Sequence, residues 1–193
     1  LVDFHSTWLR PNNATMVIVG DTNLAEIQPK LEKLFRKWEA KDVPVKNFAE
    51  VKPLDEEAVY VVDRPGAEQS LIISANVVPG ANNADEFALQ AMNDVLGGAF
   101  SARVNMNLRE DKAWSYGSYT LVLPGVGPRP FFGYAPVQTD KTGLSMTELR
   151  KEMTDIRGER PPEADELSRA IDESTLSLSG NWETEGSVAN TLR

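Results

Sequence analysis

The chain carries 193 residues, with 20 Lys and Arg against 29 Asp and Glu, for a formal net charge of −9. An acidic chain repels nucleic acid and anionic membrane surfaces, so neither is expected as a partner. No run approaches the roughly 20 apolar residues of a membrane-spanning helix, and the absence of cysteine excludes disulfides, thiol nucleophiles and thiolate metal sites.

A chain of this length buries a sizeable core without covalent staples. It begins at Leu1 with no initiator methionine and is expected to be a piece of a longer protein, any targeting segment lying upstream. A cysteine-free chain suits the cytoplasm or the periplasm alike.

In chain order, "ATMVIVGD" (14–21) is a short β-branched run that predicts a buried strand. Leu24, Ile27, Leu31, Leu34, Phe35 and Trp38 then recur at helical spacing, with Asn23 as the expected cap. Pro29 predicts a distorted first turn and a regular helix only from about 29. Residues 40–57 hold two prolines and many charges without periodicity, the pattern of a linker.

A second unit follows. "AVYVVDRPG" (58–66) and "QSLIISANV" (69–77) predict strands around a Pro-Gly turn. From Asp85, residues Phe87, Ala88, Ala91, Met92, Val95 and Leu96 form a helical stripe that ends at Gly97-Gly98. Residues 101–111 suit a shorter helix. "SYGSYTLVL" (115–123) and "PFFGYAPV" (130–137) predict an antiparallel hairpin. A helix is expected over about 141–157, and another after Pro161-Pro162 with Leu167, Ile171 and Leu178 on its apolar face. Hairpin-paired strands with helices between them predict an α+β fold, a mostly antiparallel sheet with helices packed on one face.

The residues alone provide no catalytic machinery. His5 is the sole histidine, and a zinc hydrolase site wants several imidazole or carboxylate ligands. No G-x-S-x-G occurs, and a triad would depend on His5. Carboxylates such as Asp85 with Glu86 read as solvated helix starts.

The stretch "LGGAFSARVNMNLREDKAWSYGS" (96–118) presents polar groups without histidine. Arg109 has a planar fork that matches a carboxylate or backbone carbonyls, and the Tyr116 hydroxyl both donates and accepts. Two readings stay open here. Either Arg109 pairs with Glu110 or Asp111 on the surface while Tyr116 packs in the core, or both point into one cleft.

This stretch resembles the M16 zinc metallopeptidases, the group of insulin-degrading enzyme, pitrilysin and the mitochondrial processing peptidases. The resemblance lies in Leu96, Gly97, Gly98, Phe100, Ser101, Arg103, Leu108, Arg109, Glu110 and Tyr116, and again in "WLRPNNATMVIVGD" (8–21) with its downstream helix. The chain departs from the family at Ala113-Trp114, where members often have Gly-Leu, and at Ala102, where they often have Ser. The inverted zinc motif H-x-x-E-H does not occur.

The resemblance implies an inactive part of such a peptidase. Residues 1–40 would close a preceding repeat, 41–57 would be a linker, and 58–193 would be the inactive C-terminal domain, packed as one unit with 1–40 or apart from it. Arg109 and Tyr116 would hold the substrate peptide opposite a zinc-bearing domain or subunit that is not in this chain, so catalytic residues and metal ligands are expected elsewhere. Arg103 is a matched position of less certain role. The resemblance also leaves room for a structural or assembly subunit with no peptidase role. It further suggests that the 14–38 unit folds back to complete the second repeat, within one chain or by exchange in a homodimer.

Overall fold

The computed structural model describes residues 1–47 and 49–192; Phe48, in the expected linker, and Arg193 lie outside the described residues. The chain groups into two units, Leu1–Phe48 with Ser174–Arg193, and Ala49–Glu173.

In the first unit, helix α1 (Val2–Trp8) leads through a 3-10 turn (Pro11–Asn13) to helix α2 (Leu24–Phe35). Asn23 caps α2 reciprocally: its Oδ1 accepts from the Glu26 N–H at 3.1 Å, and its Nδ2 donates to Glu26 Oε1 at 2.7 Å. With that cap α2 starts at Leu24, not at 29, and Pro29 removes a hydrogen bond from within the helix. The Trp38 indole N–H donates to the Leu9 carbonyl at 2.9 Å, which pins the end of α2 to the segment after α1.

Residues 14–19 form no strand, and Met16 and Ile18 are exposed. A β-branched run signals a capacity to pair, but backbone groups form a strand only against a second strand. No strand among the described residues pairs with them, and the sheet takes nothing from 14–38.

The second unit is built on a three-stranded antiparallel sheet in the order β1-β3-β2. Strand β1 (Gln69–Val78) pairs with β3 (Arg129–Gln138) along its whole length, from Gln69↔Gln138 to Val78↔Arg129. Strand β2 (Tyr119–Val122) takes the other edge of β3, from Tyr119↔Tyr134 to Val122↔Phe131, so the expected hairpin forms. The expected strand over 58–66 does not. The turn at its end closes through the Ala67 N–H and the Arg64 carbonyl, while Val59, Tyr60, Val61 and Val62 stay exposed outside the sheet.

Alternation along β3 decides where the helices go. Arg129, Phe131, Gly133, Ala135 and Val137 are buried on one face, and the residues between them are not. Helix α3 (Glu86–Asn93) runs on into a wider π turn (Asp94–Gly98), and α4 (Arg103–Asn105) into another (Met106–Asp111). These and α5 (Thr142–Asp155) close the core of Val95, Leu96, Val104, Leu108, Phe131, Ala135, Val137, Leu149, Ile156 and Ala170. A Cβ on Gly133 would come within 2.8 Å of Met153 Cε and of Ser74 Oγ, so the glycine lets α5 sit close to the sheet. The fold is α+β with helices on one sheet face, as expected.

Helix α6 (Ala164–Ser177) buries Ala170 rather than the expected Leu167 and Ile171, both of which are exposed. Its inward side is chosen by Glu166, one turn before Ala170 and bound by Arg103.

Candidate functional site

The 96–118 stretch is assembled from both ends of the core. A Cβ on Gly97 would lie 2.5 Å from the Thr120 backbone nitrogen, so only glycine lets the end of α3 touch β2. Arg103, Val104 and Asn105 are buried where α4 begins, and Leu108 is buried one turn on.

Arg109 follows Leu108 on the partly exposed side. Its helix ends in a tight wrap: the Ala113 N–H donates to the Arg109 carbonyl at 3.0 Å, and the Trp114 and Ser115 N–H groups both donate to the Leu108 carbonyl, at 2.9 and 3.2 Å. Ala113 takes the left-handed conformation there, with φ of 52°. This is the position where the sequence departs from a family glycine.

The expected strand over 115–123 is interrupted. Ser115 bridges Val137 and Tyr119 pairs with Tyr134, so residues 116–118 face only 135 and 136 on β3. One extra residue bulges outward. Tyr116 is at the crest of the bulge and is 86 % exposed, far from the core.

The structure brings Arg109 and Tyr116 together. The guanidinium carbon lies 5.3 Å from the Tyr116 ring centroid and 4.6 Å from that of Phe100, within reach of a cation–π attraction to each ring. Arg109 Nε is 3.2 Å from Glu110 Oε1, so the surface ion pair is present as well. Among the described residues no hydrogen bond reaches its two terminal nitrogens. Arg109 thus keeps its terminal nitrogens without a hydrogen bond among the described residues, with Nε beside Glu110 and the rings of Phe100 and Tyr116 near its guanidinium carbon. Phe100 had its signal in the sequence, an aromatic inside the glycine-rich stretch, but nothing in its spacing tied it to Arg109.

Arg103 has another role. Its Nε donates to Glu166 Oε1 at 2.7 Å and its Nη2 to Glu166 Oε2 at 2.5 Å, while Nη1 and Nη2 reach the carbonyls of Arg160 and Pro161. With four of its five N–H donors engaged, it fastens the connection between α5 and α6. Glu166 is held below the ordinary carboxylate range, first by the hydrogen bond from Arg103. A second buried arginine, Arg129, donates to the Pro79 carbonyl at 2.9 Å and pairs with Glu86, tying the start of α3 to the hairpin.

Zinc finds no cradle in these residues. Among the described residues no three His, Asp or Glu side chains gather to hold a metal, and the one histidine is exposed on α1.

Comparison with known proteins agrees with this architecture. The family described as the peptidase M16 inactive domain matches residues 1–174, and the chain belongs to it. The zinc protease PqqE of Helicobacter pylori is 28 % identical over 112 residues, covering 56 % of this chain and 25 % of that protein. The crystal structure of a protease from H. pylori superposes with a TM-score of 0.83 at 20 % identity, over 97 % of this chain and 46 % of that one. A peptidase M16 inactive domain from Pseudomonas fluorescens gives 0.75 at 17 % identity, over 90 % and 40 %. The chain spans about a quarter of the curated relative and less than half of each of these solved structures.

Proposed function

We propose that this chain is the non-catalytic, substrate-holding part of an M16-type zinc peptidase. Arg109 and Tyr116 bind an extended peptide opposite a zinc-bearing M16 domain or subunit outside this sequence. In this reading residues 1–40 close the preceding repeat and 58–193 form the inactive domain. The observation that carries the reading is the Arg109 guanidinium beside the rings of both Phe100 and Tyr116, its terminal nitrogens without a hydrogen bond among the described residues.

The chemistry of such a site is positioning. A guanidinium fork donates to peptide carbonyls or to a C-terminal carboxylate. The Tyr116 hydroxyl adds a donor near the same backbone. Placed donors lower a barrier when they fix the reacting carbonyl and stabilise charge that develops on it away from water. The zinc and its activated water belong to the partner domain in this reading.

A second reading, a structural or assembly subunit with no peptidase role, draws on the Arg109–Glu110 ion pair, which gives the arginine a use without any ligand. The two separate in one assay. The chain is mixed with a zinc-bearing M16 domain and an unfolded peptide, and turnover is compared with that of Arg109→Ala. The peptidase reading expects a drop of about a hundredfold, the scale of losing a placed donor. An unchanged rate, or no turnover with the native chain, favours the structural subunit.

A further inference from the structure

We infer that Asn105 is a positioning residue that sets the gap between the two aromatic walls around Arg109; the inference rests on the peptide-holding role proposed for Arg109 and Tyr116. Asn105 is one helical turn before Arg109 and is 4 % exposed. Its Nδ2 donates to the Phe100 carbonyl at 2.7 Å, and its Oδ1 accepts from the Ser118 N–H at 3.2 Å. Phe100 forms one wall, and Ser118 is two residues from Tyr116, which forms the other. One side chain therefore spans the two backbone segments whose rings flank Arg109.

Few side chains suit this position. The bridge needs a donor and an acceptor on one short planar group. Aspartate keeps the acceptor and loses the donor. Leucine has the shape and neither bond, and it leaves the Phe100 carbonyl and the buried Ser118 N–H without this partner, at a cost comparable to a lost hydrogen bond for the N–H. Neighbouring groups finish the Tyr116 side. Ser118 Oγ donates to Ser115 Oγ at 3.0 Å, and Ser115 Oγ donates to the Pro136 carbonyl at 2.6 Å, which anchors the bulge to β3. On the Phe100 side the Ala102 N–H donates to the Ala99 carbonyl at 3.1 Å and closes a turn around Phe100. Asn105 thus shares the Phe100 side with that backbone turn and the Tyr116 side with the two serines.

The two bonds of Asn105 can be removed in steps, by Asp for the donor and by Ala for both. Ring currents from Phe100 and Tyr116, 4.6 and 5.3 Å from the guanidinium carbon, should displace the Arg109 Nε–H resonance in the NMR spectrum of this chain. Asn105→Asp should shift it as the Phe100 wall loosens while leaving the Ser118 amide protected from exchange. Asn105→Ala should shift it further and also speed Ser118 exchange by at least tenfold. With a zinc-bearing M16 partner and a peptide, Asn105→Ala should lower kcat/KM about tenfold to a hundredfold, the scale of a small misplacement, while the Arg109→Ala background cancels most of that effect. An Arg109 Nε–H resonance that stays put in both folded variants overturns the inference. If neither variant folds, exchange in the native chain decides. Asn105 side-chain protons and the Ser118 amide must then exchange far more slowly than exposed amides, and fast exchange at either overturns it. If Arg109→Ala leaves turnover unchanged while the resonance moves in the Asn105 variants, the peptide-holding role has failed and the bridge stands as structure alone.

Discussion

Arg103 and Glu166 meet as a two-pronged fork on a carboxylate, joining α4 to α6 across a sequence separation of 63 residues. The Arg103 side chain is 6 % exposed and that of Glu166 is 18 % exposed, so the pair works in a largely water-free setting, where breaking one partner costs more than at the surface. Arg103→Ala should therefore destabilise the fold by about 3 kcal/mol, since it strands the carboxylate and two carbonyls. Arg103→Lys should recover only part of this loss, because an ammonium cannot reproduce the planar fork. Urea unfolding with an unchanged slope would confirm the size, and a loss below about 0.5 kcal/mol would place the pair with ordinary surface bridges.

The same pair predicts an acid response. Glu166 is lowered from its ordinary value of 4.5, chiefly by the Arg103 hydrogen bond, and Glu86 is lowered too, first by Gln90 and then by Arg129. A carboxylate with a depressed folded pKa stabilises fully above its unfolded value and loses that contribution as pH falls through the folded one. Asp94 runs the other way, raised by burial, and partly offsets the loss. The unfolding midpoint should hold from neutral pH down to about 5 and then fall, and Glu166→Gln should flatten that fall. A Glu166→Gln profile as steep as the native one would assign the acid response to other groups.

Ala113 offers a gain in stability. Its φ of 52° costs an L-residue with a Cβ about 1–2 kcal/mol. Glycine removes that strain and adds back about 0.5–1 kcal/mol of unfolded-chain entropy. The balance favours Ala113→Gly by about 0.5–1 kcal/mol, or a rise in Tm of about 2 °C for a domain of this size. Calorimetry on the two chains decides it, and a fall in Tm would mean that the helix end relaxes to another conformation.

What the sequence disclosed and what it hid divide along physical lines. The C-terminal end of the 87–96 stripe, at Met92, Val95 and Leu96, the paired runs of β2 and β3 and the helix of α5 were legible because periodicity reports burial, whereas Phe87, expected on the same stripe, is 88 % exposed. The runs at 14–21 and 58–66 carry the same strand chemistry, yet neither pairs among the described residues, because composition encodes a capacity to pair and not the presence of a partner. At the candidate site, the proximity of Arg109 to Tyr116 followed from the family resemblance and not from spacing. The bulge at 116–118 was invisible, since one extra residue against β3 leaves no mark in composition. Asn105 was hidden because an amide on a helix looks the same in sequence whether solvated or bridging two backbones. Arg103 and Arg109 are identical residue types six positions apart, and only their surroundings separate an anchor from an open fork.

Tyr116 permits a finer dissection than Arg109, because its ring and its hydroxyl do different things. The ring lies 5.3 Å from the Arg109 guanidinium carbon, and among the described residues the hydroxyl makes no hydrogen bond. If the ring's only task is to flank the arginine, Tyr116→Phe should leave peptide turnover within about twofold, while Tyr116→Leu removes a cation–π contact of about 0.5–1 kcal/mol. If the hydroxyl donates to the substrate backbone as proposed, Tyr116→Phe should lower kcat/KM by about tenfold or more, with the fold unchanged because the hydroxyl supports nothing in the free chain. A loss concentrated in kcat would place that donor at the transition state, and a loss concentrated in KM would place it on the bound peptide alone. Steady-state kinetics of the Phe variant with the zinc-bearing partner separates these outcomes. Full activity in both variants would remove Tyr116 from the site and leave Arg109 with Phe100 as its remaining wall.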